Sequence, residues 1–273
     1  MARKPLYDSE DEITEKTPGD SFRHLKGFFL EVSLITSFSI QFFRELFRKG
    51  FEFGETARQS YKIGYNSLPL VAITGFIMGL VLTMQSQPTL KNFGAEAWLP
   101  AMVGVSLIRE IGPVITALIC AGKSGSGIGA ELASMKVTEQ IDAMEVSGTN
   151  PFKYLVVTRV VASMLMIPVL AIFADAIGIF GSFIGVNLYG DISFRLFIVQ
   201  VFEKVEFMDI FPAFIKTFFF GFAIGIIGCY KGYNAENGTE GVGYAANSSV
   251  VISSLLIFII DLMAVQITSL FSY

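Results

Sequence analysis

The sequence predicts an all-α membrane protein: an N-terminal interfacial helix, about five transmembrane helices, and a short cytoplasmic helix between the second and third. Three observations carry this. Hydrophobic residues make up 52% of the 273 and charged residues only 16%, against roughly 25% charged in soluble domains. Mean hydropathy is +0.58. Several apolar runs exceed about 18 residues, the length needed to cross a hydrocarbon core of ~30 Å.

The elements follow in order. The opening "MARKPLYDSEDEITEKTPGD" mixes acids and bases and lacks the apolar core of a signal peptide, so residues 1–24 are expected to be disordered and cytoplasmic. Residues 25–273 form the membrane domain. Within it, 27–48 is apolar but broken by Glu31, Arg44 and Glu45. It reads as a helix lying on the inner leaflet, the alternative being a first span with a charged flaw. Spans are predicted over about 68–90, 98–122, 154–188, 210–230 and 249–271, with Pro168 able to kink the third. Residues 190–208 are mixed amphipathic.

Ten of the twenty Lys+Arg fall in the first 66 residues, and Lys123, Lys136, Lys153, Arg159 and Lys231 border the polar loops on one side. The positive-inside rule makes those loops and the N-terminus cytoplasmic and puts the C-terminus outside. Cys120 and Cys229 lie in apolar runs and read as free core thiols.

Between the second and third spans stands "MKVTEQIDAMEVSGTNP" (135–151). At 100° per residue Val137, Ile141 and Met144 share one stripe, and Glu139, Asp142 and Glu145 a broad opposite face. The preceding "AGKSGSGIG" (121–129) is not a phosphate loop, because Ala117 stands where the pattern needs glycine. Its small residues suit close helix packing instead. Gly75/Gly79, Gly181/Gly185 and Gly221/Gly225 have the spacing that lets helices approach, within the chain or between two copies.

Arg109 lies roughly 16 Å along the helix from Trp98, near mid-membrane. A charged pair Arg109–Glu110 at that depth is costly and marks a functional site. Gly112 and Pro113 follow and favour a bent helix lining a cavity. Asp175 and Asp261 are further intramembrane acids, read as hydrogen-bonded to neighbouring helices. His24 is the single histidine, and no metal site, resident cofactor, nucleic-acid partner or catalytic set is expected.

The blocks "LIREIGPV", "GAELASMKVTEQIDAMEV", "NPFKYLVVTRV" and "EGVGYA" occur in this order and resemble signatures of the MlaE/YrbE-type permeases of MCE-associated ABC transporters. The likeness spans about 25–271. Lys123–Ser124 stands where relatives often carry Arg-Val or Arg-Ala, and "EGVGYAA" where many have "EGVGRAT". The resemblance implies a homodimeric permease of the bacterial inner membrane. ATP would be bound by a separate ABC ATPase subunit, an MCE-domain protein would sit on the periplasmic side, and the substrate would be a phospholipid or related lipid. On that reading the acid-faced segment is a coupling helix, with Glu139, Gln140, Ile141, Asp142, Met144 and Glu145 docking the ATPase. Arg109 and Glu110 would border a lipid cavity shared by two protomers and walled by Met78, Leu82 and Gln85. The alternatives are a proton-coupled secondary transporter using Glu110, Asp175 and Asp261, disfavoured by the lack of an inverted repeat, and a membrane scaffold without transport.

Overall fold

The computed structural model describes residues 18–48, 50–188, 190 and 192–271. Most of the segment expected to be disordered, 1–17, lies outside the described residues. Two compact units are distinguished, 1–40 and 41–273. The first contributes most of helix α1 (Pro18–Leu46), whose Phe29, Leu30, Leu34 and Ile40 are exposed. Among the described residues five helical stretches are long and apolar enough to cross a membrane, and α1 is not one of them.

Each span is longer than its apolar run. The first, α2 (Phe53–Asn92), has 40 residues, or about 60 Å at 1.5 Å per residue, twice the hydrocarbon core. Its extra N-terminal turns are amphipathic: Thr56, Gln59, Ile63 and Ser67 are buried at helical spacing. The second span is helical from Glu96 to Val137. It comprises α3 (Leu99–Ser106), α4 (Gly112–Cys120) and α5 (Ser126–Val137), joined by π-helical turns at Leu107–Ile111 and Ala121–Gly125. The glycine-rich run therefore continues the helix for four turns into the stretch read as polar loop. Two of its glycines face other helices, Gly125 packing on Ile224 and Gly129 on Ala245 and Ser249.

Helix α6 (Gln140–Val146) follows a break at Thr138–Glu139, where Glu139 adopts a left-handed φ of 57°. The third span opens with a π turn at Phe152–Val157 and continues as α7 (Thr158–Asn187), with Pro168 inside it. Helix α8 (Phe194–Lys204) is capped by Ser193, and α9 (Phe207–Tyr233) by a reciprocal Glu206/Asp209 capping box. Helix α10 (Thr239–Phe271) is the fifth span.

The small-residue pairs are spent inside the chain. A Cβ on Gly75 would stand 2.8 Å from the Ala174 carbonyl oxygen, and one on Gly79 would collide with that of Gly178. Gly221 likewise packs on the Ser163 carbonyl. Interhelical hydrogen bonds fasten both seams: Thr83 Oγ1 to Ser182 Oγ at 2.7 Å, and Ser163 Oγ donating to the Gly221 carbonyl at 2.8 Å. Cys120 and Cys229 are buried and free, as expected. Among the described residues, apolar clusters form around Val71, Ile167, Phe220 and Ile224 and around Leu99, Val103, Phe197 and Val201.

Candidate functional site

Arg109 and Glu110 sit on the π turn of the second span. That turn is wider than an α-helical one and re-aims the side chains it carries. Both line a cavity of about 360 Å³ between the second span and α9 and α10. They do not pair with one another. Arg109 Nη1 lies 3.5 Å from Asp209 Oδ1, and Glu110 Oε2 accepts from Lys216 Nζ at 2.6 Å. Lys216 is also 2.8 Å from Asp261 Oδ1, so one ammonium, its side chain only 4% exposed, serves two carboxylates.

The Arg109 guanidinium is far less committed. Its side chain is 47% exposed and its contact to Asp209 is long. Asp209 is divided between Arg109 and the main-chain N–H of Glu206 that it caps. Lys204, at the end of α8, closes the Trp98 side of the cavity with its ammonium 5.1 Å from the Trp98 ring centre.

An apolar groove of about 410 Å³ joins this chamber along α9 and α10. Phe211, Ile215, Phe219, Ile260, Met263 and Ile267 form it, while Met208, Pro212, Lys216, Ala264 and Thr268 belong to both. A charged chamber that opens into an apolar trough has the polar-to-apolar gradient of an amphiphile.

The other residues expected at the cavity are elsewhere in the single chain. Met78 lines a narrow cleft of about 10 Å³ with Thr74 and Ile111, Leu82 packs on the Leu99–Val201 cluster, and Gln85 is exposed. Asp261 bonds to a neighbouring helix as expected. Asp175 does not: its Oδ1 has no hydrogen-bond partner and packs against Gly112, directly after the π turn. Lys216, Asp209 and Lys204 were missed in the sequence, although a lone lysine within "FIKTFFF" is the signal that an intramembrane charge gives.

On the other side of the chain α6 packs back on α5 through Ile141, which is 1% exposed. Glu139, Gln140, Asp142 and Glu145 are exposed and Met144 is half-buried, so the acid face looks away from the bundle. Asp142 Oδ1 is 3.0 Å from Lys136 Nζ. Val146, 91% exposed, adds an apolar side chain beside the acids that the sequence reading did not single out.

A five-span helical bundle with a charged chamber in its membrane layer and an acid-faced helix outside it has the build of a membrane permease. The chain belongs to the MlaE permease family, whose model, "Permease MlaE", matches residues 56–267. It is 38% identical over 246 residues to a probable ABC transporter permease of Rickettsia typhi, covering 90% of this chain and 95% of the relative. It is 35% identical over 243 residues to the intermembrane phospholipid transport system permease protein MlaE of Haemophilus influenzae, covering 84% and 93%. A probable ABC transporter permease of Synechocystis is 37% identical over 205 residues, 75% and 78% of the two chains.

Proposed function

We propose that this chain is the membrane subunit of an ATP-driven transporter that moves phospholipid or a related lipid between the inner membrane and the outer envelope. The observation that carries the reading is the charged chamber continuous with the α9–α10 trough. The name of the Haemophilus relative supports the substrate class. The chain works as a homodimer in the inner membrane with its N-terminus cytoplasmic. A separate ABC ATPase binds and hydrolyses ATP, and an MCE-domain protein receives or supplies lipid on the far side. In the dimer Gln85 and Met78 of α2 would wall a central cavity. Residues 25–273 are the permease domain.

Arg109 is the headgroup contact, because it pairs wide exposure with a weak internal partner and its planar guanidinium can bind phosphate in bidentate fashion, whereas the exposed Lys204 ammonium on the same wall lies over the Trp98 ring. Arg109→Ala is expected to lower phospholipid co-purified with the complex about tenfold, the worth of one charge-assisted contact, as counted by mass spectrometry. Unchanged lipid would remove Arg109 from the site. ATP-dependent flux in proteoliposomes separates this transporter from a proton-coupled one, whose flux would run without nucleotide and follow the pH gradient.

Helix α6 transmits the ATPase's motion. With Ile141 tying it to α5, a force on Glu139, Asp142 and Glu145 reaches the second span through a short rigid lever. Reversing the charge at Glu139 and Asp142 together is expected to abolish co-purification of the ATPase while the permease still accumulates in the membrane. Intact co-purification would sink the coupling role.

A further inference from the structure

A second cavity, of about 430 Å³, opens between α2 and the far end of the second span. Gln59, Lys62 and Asn66, at helical spacing on α2, form one wall; Lys123, Gly127 and Glu131, four residues apart, form the other. Asn66 stands two residues before the apolar run that opens at Leu68, so the cavity sits where α2 leaves the hydrocarbon. Arg109 and Lys123 are 14 residues apart (123 − 109), roughly 20 Å along the helix, so this cavity is separate from the chamber.

Its charges do not balance. Lys62 Nζ donates to Glu131 Oε2 at 2.7 Å and Arg159 Nη2 to Glu131 Oε1 at 3.2 Å, so one carboxylate serves two cations. Lys123 Nζ donates only to the main-chain carbonyl of Asn66, a neutral acceptor. Glu55, one turn from Gln59, accepts from Gln59 Nε2 at 2.7 Å and from the Tyr154 hydroxyl at 3.3 Å, with Arg58 at 3.7 Å, and is not part of the cavity wall. Two cations thus face one acid across the cavity, Lys62 and Lys123 on opposite walls, and that acid, Glu131, is also held from behind by the buried Arg159.

The glycines add an independent observation. A Cβ on Gly129 would stand 2.5 Å from Ser249 Oγ and one on Gly125 3.3 Å from Ile224 Cγ2, so helix packing accounts for both. A Cβ on Gly127 would meet nothing within 4 Å. Packing does not require glycine there; what its missing side chain leaves is cavity.

We infer that this cavity binds a phosphate group, held by Lys62 and Lys123 as paired point charges, and that its position at the membrane boundary presents it to the phosphodiester of a lipid headgroup. Its use, loading or releasing lipid in that leaflet, rests on the permease reading; the binding itself does not.

The test uses the full-length chain in detergent. Native mass spectrometry follows retained phosphatidylglycerol, and calorimetry follows inorganic phosphate added to delipidated protein. Lys123→Gln keeps a donor for the Asn66 carbonyl but removes the charge, and Gly127→Leu projects a side chain into the cavity from a position where its Cβ meets nothing within 4 Å. Each is expected to weaken phosphatidylglycerol retention at one site about tenfold, with no loss of melting temperature. Inorganic phosphate that binds at millimolar concentration and is lost in Lys123→Gln would make the free anion the source; no heat from it leaves the lipid. Retention untouched by both variants, with no phosphate heat, overturns the inference. If only Arg109→Ala then loses lipid, the permease reading stands without this site; if only the two cavity variants do, this site stands and the chamber assignment falls.

Discussion

Lys216→Met is expected to cost about 3 kcal/mol of stability and to abolish lipid transport. The side chain is almost wholly buried and its ammonium stands between Glu110 Oε2 at 2.6 Å and Asp261 Oδ1 at 2.8 Å. Removing it leaves two carboxylates facing each other in a low-dielectric layer with no counter-charge. The two acids should suffer unequally. The Glu110 side chain is 42% exposed to the chamber and can recruit water, whereas that of Asp261 is 20% exposed. Adding Asp261→Asn to Lys216→Met should therefore recover more stability than adding Glu110→Gln. The triple variant, all neutral, should melt close to the native protein, since replacing a whole buried ion set is often neutral while breaking one is not. It should still fail to transport, because the wall beside Arg109 has lost the Glu110–Lys216–Asp261 charges, although Arg109, Lys204 and Asp209 remain. Melting temperatures in detergent and ATP-driven flux in proteoliposomes read the two effects separately. A Lys216→Met variant within about 1 kcal/mol of native would mean the three groups are not coupled.

The number of spans was legible because hydropathy over an 18-residue window reports burial in lipid directly. The lengths were not. Residues 53–67 of α2 and 123–137 of the second span carry polar side chains, so a hydropathy reading stops at the membrane edge, while the helix continues wherever a stripe such as Thr56, Gln59 and Ile63 can be buried on a neighbour. The break at Glu139 escaped for another reason. Periodicity continues through it, and a left-handed residue other than glycine leaves no mark in sequence. At the candidate site the sequence exposed Arg109 and Glu110 as costly mid-membrane charges but not their partners. Pairing is a long-range fact: Glu110 and Lys216 are 106 positions apart. The adjacency of Arg109 and Glu110 suggested a pair that the helix geometry forbids, since successive residues point about 100° apart and side chains meet at i+3 and i+4.

The same glycine-to-alanine change should have opposite signs at two helical positions. At Gly79 a methyl group would collide with the Gly178 carbonyl of α7, and main chain on both sides cannot rotate away as a side chain would. The helices must separate. That in turn opens the contact of Gly75 with Ala174 and stretches the 2.7 Å hydrogen bond from Thr83 to Ser182. Overpacking usually costs about 1–3 kcal/mol, and Gly79→Ala should reach the top of that range, with Gly79→Leu failing to accumulate. At Gly127 the methyl would enter open space, so only the intrinsic preference acts, and alanine should stabilise α5 by roughly 0.5–1 kcal/mol. Melting temperatures of the two alanine variants decide the matter. If Gly79→Ala melts with the native protein yet runs as a monomer, the small-residue stripe of α2 joins two copies of the chain instead of α2 and α7.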